Sequence, residues 1–294
     1  MKTLFRRSTP SYRVGLLLAS DSVMLTAMTQ PPLFATRAIN GPQEWALAIR
    51  ELFNRHGLVR PKVRVALAAS LYQQIQIDKP AVPDNEMAGA LPWAIKDYVS
   101  EPVLELAMDY VDLPTPPAGR PRINVICLAK SRVQQLADAI NGIATLQSII
   151  SDELALTSLY PVDNTVRMLL WQPKGQDLQL QVFHQGGICF SRQLRGFTSL
   201  TGDHEPDGML LDSLALEIQR SLDYLAGQLK LPALGQMQLA VASPFIGSLV
   251  RYMEQAFGFA VSAMANKAVL AGVEYLPAYA AAQGEGAAIV KGAS

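Results

Sequence analysis

The chain has only two cysteines, Cys127 and Cys189, too few for a disulfide framework. Both sit in apolar runs, where a cysteine behaves as a small buried hydrophobe, so a reducing, cytosolic setting is expected. Histidine is almost as scarce: His56, His184 and His204 stand far apart, and none is at metal-ligand spacing to a cysteine. His56, beside Gly57, fits a helix C-terminus. Net charge is absent, with 25 basic against 25 acidic side chains. A broad basic footprint for nucleic acid is thereby excluded. Also missing are a GxxxxGK[ST] phosphate loop, a GxSxG elbow, an HExxH pair and a CxxC pair. The nearest approach to a dinucleotide turn, Gly284-Glu285-Gly286, lacks the third glycine and a strand before it. No catalytic residue and no metal site is expected.

Long apolar runs are missing too. The stretch 232–250 carries no charge, but Gly235, Gln236, Gln238, Ser243 and Pro244 break it into strand, turn and helix, so no membrane span is expected. Near the start, Lys2, Arg6, Arg7 and Arg13 precede an apolar run at 14–19 that Asp21 ends after six residues, too short for a signal-peptide core. Four cations over twelve residues read as a solvated tail rather than a membrane anchor.

What is present is apolar surface. Half of the 294 residues are hydrophobic, enough for two packed lobes. Residues 12–19 and 23–28 read as strands, and Trp45, Ile49, Leu52 and Phe53 fall at helical spacing. Alternation at 63–67 and 72–77 predicts a β-hairpin; a helix follows from Asp84 through Met87, Leu91, Ile95 and Tyr98. Strands at 104–113 and 122–128 and a helix capped by Ser131 complete a small α+β unit. A short strand at 146–150 and a helix from Ser151 follow. Three strands at 166–171, 178–184 and 188–194 come next, the last two joined at Gln185-Gly186-Gly187, where glycine supplies the positive φ of a tight turn. The remainder reads helix, strand, helix, strand, helix, with Leu211, Leu214, Ile218, Leu222, Leu225 and Leu229 marking one buried helical face. Both halves thus begin with antiparallel strands and end in alternating α/β units. Trp93 and Tyr98 have two readings: aromatics covering the small unit's core, the commoner fate, or an exposed docking anchor.

Several strings together resemble a known family. The segments 65–70 and 91–102, with Met108-Asp109-Tyr110, Leu128-Ala-Lys-Ser-Arg-Val133, 216–224 and 276–284, are similar to the MshI family of MSHA pilus biogenesis proteins. More distantly, residues 12–284 look like PilM of type IV pilus assembly and the cytoplasmic domain of type II secretion L proteins. The resemblance implies an α/β, two-lobed actin-like fold (PilM/FtsA-like, ribonuclease H-like lobes) with a small inserted α+β module. The expected division is 1–61 with 145–161 as first lobe, 62–144 as module, 162–266 as second lobe, and 267–294 as a C-terminal helix returning to the first lobe, then a tail.

Against that family the nucleotide elements are altered. Leu17 and Ala19 stand where the first Asp-x-Gly turn belongs, the second turn falls on Trp171-Gln172-Pro173-Lys174, and the adenosine-side glycines fall on Ala240-Val-Ala242-Ser-Pro244. The resemblance therefore implies a non-enzymatic, cytoplasmic scaffold without cofactor, recruited to the inner-membrane face. Its partner would be the cytoplasmic N-terminal peptide of a PilN-like (MshJ-like) membrane protein, with the assembly ATPase and platform protein nearby. The peptide would lie in a groove between first lobe and module, with Trp93 and Tyr98 as one wall. The alternative implied is a PilM-like protein that holds ATP with Mg²⁺ through Ser20, Asp21 and Ser22.

Overall fold

The computed structural model describes residues 12–114, 120–173 and 175–284. The chain opens with strands β1 (Arg13–Leu18), β2 (Ser22–Ala27) and β3 (Leu33–Ala38), then helix α1 (Trp45–Arg55) and strand β4 (Lys62–Leu67). Next come β5 (Gln73–Asp78), α2 (Met87–Ile95), β6 (Leu106–Asp112), β7 (Arg122–Ala129), α3 (Lys130–Ile140), β8 (Thr145–Ser151) and the single turn α4 (Asp152–Ala155). The remainder is β9 (Val166–Gln172), β10 (Leu178–His184), β11 (Gly187–Leu194), α5 (Gly208–Gly227), β12 (Leu234–Val241), α6 (Ile246–Phe257), β13 (Val261–Ala263), α7 (Lys267–Ala271) and α8 (Leu276–Gln283).

Two five-stranded sheets share one topology. The first runs β3-β2-β1-β4-β8 and the second β11-β10-β9-β12-β13, each an antiparallel trio extended by two parallel strands. Each lobe has its own core. α1 and α3 cover one face of the first sheet through Trp45, Ile49, Leu52, Leu136 and Ile140, and α5 and α6 cover the second through Leu214, Ile218, Leu249 and Met253. A third apolar cluster joins the lobes: Leu17 and Ala66 from the first sheet meet Leu169, Trp171, Phe183 and Ala240 from the second, with α8 between them. The fold is the two-lobed actin-like arrangement.

α8 reaches that position because β1 carries Gly15. A Cβ there would fall on the Ala278 carbonyl and within 2.7 Å of the Ala282 backbone nitrogen, so helix backbone lies directly on strand backbone. The helix contributes a small-residue face, Ala278, Ala281 and Ala282, that permits this approach. Its start is set by Gly272, whose φ of +152° breaks the expected continuous helix after α7.

The inserted module is shorter than the sequence pattern predicts. β4 does not pair with β5; it lies between β1 and β8 in the first lobe's sheet. Val63 and Val65 enter the first core while Ala66 faces the interlobe cluster, and a central strand covered on both faces needs this apolar pattern. β5, with Gln73 and Gln74 exposed, has no such pattern and pairs instead with β7. At the other end, α3 packs on α1 and enters the first core, so it too belongs to the first lobe. The module is the three-stranded sheet β5-β7-β6 with α2 on one face, held by Ile77, Met87, Leu91, Ile95, Ile123 and Val125. α2 ends at Ile95, short of Tyr98.

Candidate functional site

The turn between β1 and β2 carries Ser20 and Asp21, and Ser22 opens β2. Its backbone bonds close on the protein: Ala19 N–H donates to Ser22 O at 2.9 Å, Ile39 N–H to Asp21 O at 2.8 Å, and Trp45 Nε1–H to Ala19 O at 3.1 Å. The Ser22 hydroxyl donates to Asp21 Oδ1 at 3.0 Å. No residue from 19 to 22 has positive φ, so the turn does not form the alternating right- and left-handed nest that points successive N–H groups at an anion. Leu17, one turn back on β1, is buried in the interlobe cluster.

The stretch expected to hold the second turn begins as strand. Trp171 and Gln172 are ladder residues of β9, and Gly175, between β9 and β10, takes φ +73°. Lys174 lies outside the described residues. The Gly175 N–H donates to Thr201 Oγ1 at 3.1 Å, and the buried Gln172 amide donates to Gln176 O at 2.8 Å and Phe197 O at 2.9 Å. Trp171 donates from Nε1 to Val273 O at 3.2 Å, tying the second sheet to the segment before α8. At the third element, Ala242 N–H donates to Gln172 O at 3.0 Å, and Ser243 Oγ accepts from Phe245 N–H at 3.2 Å ahead of α6. Ala240 and Ala242 join the interlobe apolar cluster. Gly284 ends the described chain, so the remainder of the Gly284-Glu285-Gly286 string lies outside it, as do Lys2, Arg6 and Arg7. Among the described residues no group of three or more His, Cys, Asp or Glu is placed to hold a metal ion.

A different concavity lies between the module and the first lobe. It has a volume of about 160 Å³, and its walls are Ala107–Val111 of β6, Ile126 and Leu128 of β7, and Ile149, Ile150 and Ser151 of β8. Leu67, Tyr72, Val133 and Leu154 complete the lining. β6 is the outer strand of the module sheet and β8 the outer strand of the first-lobe sheet, so two sheet edges face one apolar groove. Among the described residues Asp109 is the only charged side chain that lines it. Trp93 and Tyr98 do not. They are 76% and 65% exposed, on and just after the helix that covers the opposite face of the module sheet. Trp93 is therefore neither core nor groove wall.

Beneath the groove lie two carboxyl groups adjacent in the chain, that of the buried Asp152 and that of the half-buried Glu153. Asp152 Oδ1 accepts from the Tyr72 hydroxyl at 2.9 Å and from Glu153 N–H at 2.9 Å, and Oδ2 accepts from Ala69 N–H at 3.2 Å. Burial and the adjacent Glu153 charge push the Asp152 pKa up to about 7, although those three donors oppose the shift. Glu153 is raised as well, chiefly by burial, and accepts from the Ser191 hydroxyl of the second lobe at 2.6 Å. The pair thus touches module linker, first lobe and second lobe at once. Sequence reading gave it no weight, because Ser151-Asp152-Glu153 looks like an ordinary helix cap, which Ser151 Oγ also is, accepting from Leu154 N–H at 3.2 Å.

No protein-family profile matches the sequence, and no curated protein is similar to it. Solved structures are similar in fold. The PilM-PilN type IV pilus biogenesis complex matches with a TM-score of 0.65 at 17% identity, over 93% of this chain and 98% of that one. A protein of Bacteroides thetaiotaomicron with an actin-like ATPase fold matches with a TM-score of 0.51 at 10% identity, over 89% and 94% of the two chains. The cytoplasmic domain of Epsl, an inner membrane component of the type II secretion system of Vibrio cholerae, gives 0.48 at 13% identity, over 80% and 84%.

Proposed function

We propose that the protein is a non-enzymatic assembly platform for a type IV pilus of the MSHA kind, which binds the cytoplasmic N-terminal peptide of a PilN-like membrane protein and is held by it at the inner-membrane face. A fold hosts many functions, so a shared actin-like architecture alone carries little of this reading. The observation that carries it is the groove: an apolar trough bounded by two unpartnered sheet edges is the form that accepts an extended peptide by strand addition, with apolar side chains supplying affinity. That a solved structure of this fold is a PilM-PilN complex supports the choice of partner.

The absence of nucleotide chemistry is part of the same proposal. The β1–β2 turn has no positive φ with which to form an anion nest, and Leu17, Trp171 and Ala240 build an apolar contact between the lobes. Two experiments test the reading. Co-purification from membranes should recover the chain with the intact PilN-like partner and lose it when that partner's cytoplasmic N-terminus is removed; retention without the N-terminus contradicts the proposal. Mg·ATP should leave the thermal midpoint in place. A ligand at a hundred times its dissociation constant adds about 2.7 kcal/mol, so a saturable shift that disappears in Asp21→Ala would favour the ATP-holding alternative.

A further inference from the structure

Among the described residues the groove carries one charged side chain, and its own strand holds it. Asp109 lies in the middle of β6, the outer strand, and its Oδ1 accepts a hydrogen bond from the N–H of its own neighbour, Tyr110, at 2.8 Å. Among the described residues it makes no ion pair. The side chain is half-buried and stands across the ladder from Ile126, in a groove that Val111, Leu128 and Ile149 also line. Burial raises its pKa, and the Tyr110 bond opposes that only in part. A partly desolvated carboxylate with no cation is costly unless something else supplies one. Its bond to Tyr110 also occupies a backbone donor on a strand that pairs with another on one side only. Covering or charging such an edge is how a folded protein keeps it from pairing at random.

We propose that Asp109 selects the groove's occupant: the peptide that adds to β6 carries a lysine or arginine side chain that pairs with this carboxylate, so that unpaired neutral strands are refused. This rests on the peptide-binding reading above and specifies the chemistry of the partner. In the free protein the carboxylate caps the edge. An incoming strand offers its cation to the carboxylate and a carbonyl to the Tyr110 N–H, so both groups exchange one partner for another and neither is left buried and unsatisfied. A peptide without the cation must bury Asp109 uncompensated. β6 spans seven residues, Leu106–Asp112, and a strand of matching length places several side chains on the groove side, of which one faces Asp109.

The test is a double-mutant cycle read by calorimetry on the full chain, with the synthetic cytoplasmic N-terminal peptide of the PilN-like partner and versions in which each lysine or arginine in turn is replaced by glutamine. Asp109→Asn keeps an oxygen to accept from Tyr110 N–H and removes only the charge. It should weaken the native peptide about tenfold, as should one of the neutralised peptides, and the two changes together should cost no more than either alone. Asp109→Glu should restore most of the affinity. An unchanged affinity in Asp109→Asn, with circular dichroism showing a folded chain, overturns the inference, as does a cycle in which the two losses simply add. A groove filled by a second copy, seen as a dimer that the peptide fails to dissociate, also overturns it. If the native peptide does not bind the native chain at all, the peptide-binding reading falls first and is distinguished by that result.

Discussion

Asp152 is a carboxyl group that the fold holds near neutrality, and its pH dependence has a definite sign. Its folded pKa, about 7, lies above the ordinary carboxylate value, so between about pH 4 and 7 the native state holds a proton that the unfolded chain has released. Stability is then greatest at the acidic end of that window and is lost as pH rises through 7. Glu153, raised by burial, acts in the same direction. Asp163 is shifted the opposite way by the Arg167 guanidinium, so its contribution is fully present above about pH 4 and does not vary within the window. Melting the chain at pH 5.5 and pH 8 should give the higher midpoint at pH 5.5, and Asp152→Asn should shrink the difference; an undiminished difference would mean that another group carries it. Leu17 allows a second residue-scale prediction. Leu17→Asp puts a carboxylate into an apolar cluster without a partner and should cost about 3 kcal/mol in chemical denaturation. A neutral result would show that this part of the interlobe contact is wet.

At the scale of elements, α8 and α2 are opposites. α8 is buried along almost its whole length, and its contact with β1 depends on the missing side chain of Gly15. Gly15→Val should therefore displace the helix and destabilise the chain by about 3 kcal/mol or more, measured in urea, because the obstacle is backbone and cannot rotate away. α2 shows solvent a face containing Trp93, so Trp93→Ala should change stability by no more than about 0.5 kcal/mol and leave peptide binding intact. Loss of either would place Trp93 in a contact that this structure does not contain. The sequence made α8's existence legible through its alanine run but not its place, since nothing local in Gly15 says that a helix 260 residues later will rest on it. Trp93 was ambiguous for a related reason: α2 is apolar on every side, and such a helix has no polar stripe to say which side faces out.

For the whole molecule, the duplicated lobes were legible because each strand trio carries strong apolar runs and the glycine turn at Gly186 marks a hairpin. The module's limits were not. Residues 63–67 alternate as an isolated hairpin strand would, yet Val63, Val65 and Ala66 bury on two faces, and only the long-range pairing with β1 and β8 reveals that. The groove's place between first lobe and module was expected from the family resemblance, but its wall residues were not, since they come from β6, β7 and β8, which the chain brings together only after α3 has returned to the first lobe. What the assembled molecule offers is a trough between two sheet edges, and the proposed function requires a partner's peptide to lie in it. Hydrogen exchange of the full chain with and without the PilN-like N-terminal peptide, at saturating peptide, addresses this directly. Slowed exchange should concentrate in 106–112 and 145–151, the two edges that the peptide would cover. Saturable binding that leaves both edges exchanging as in the free chain would contradict the account.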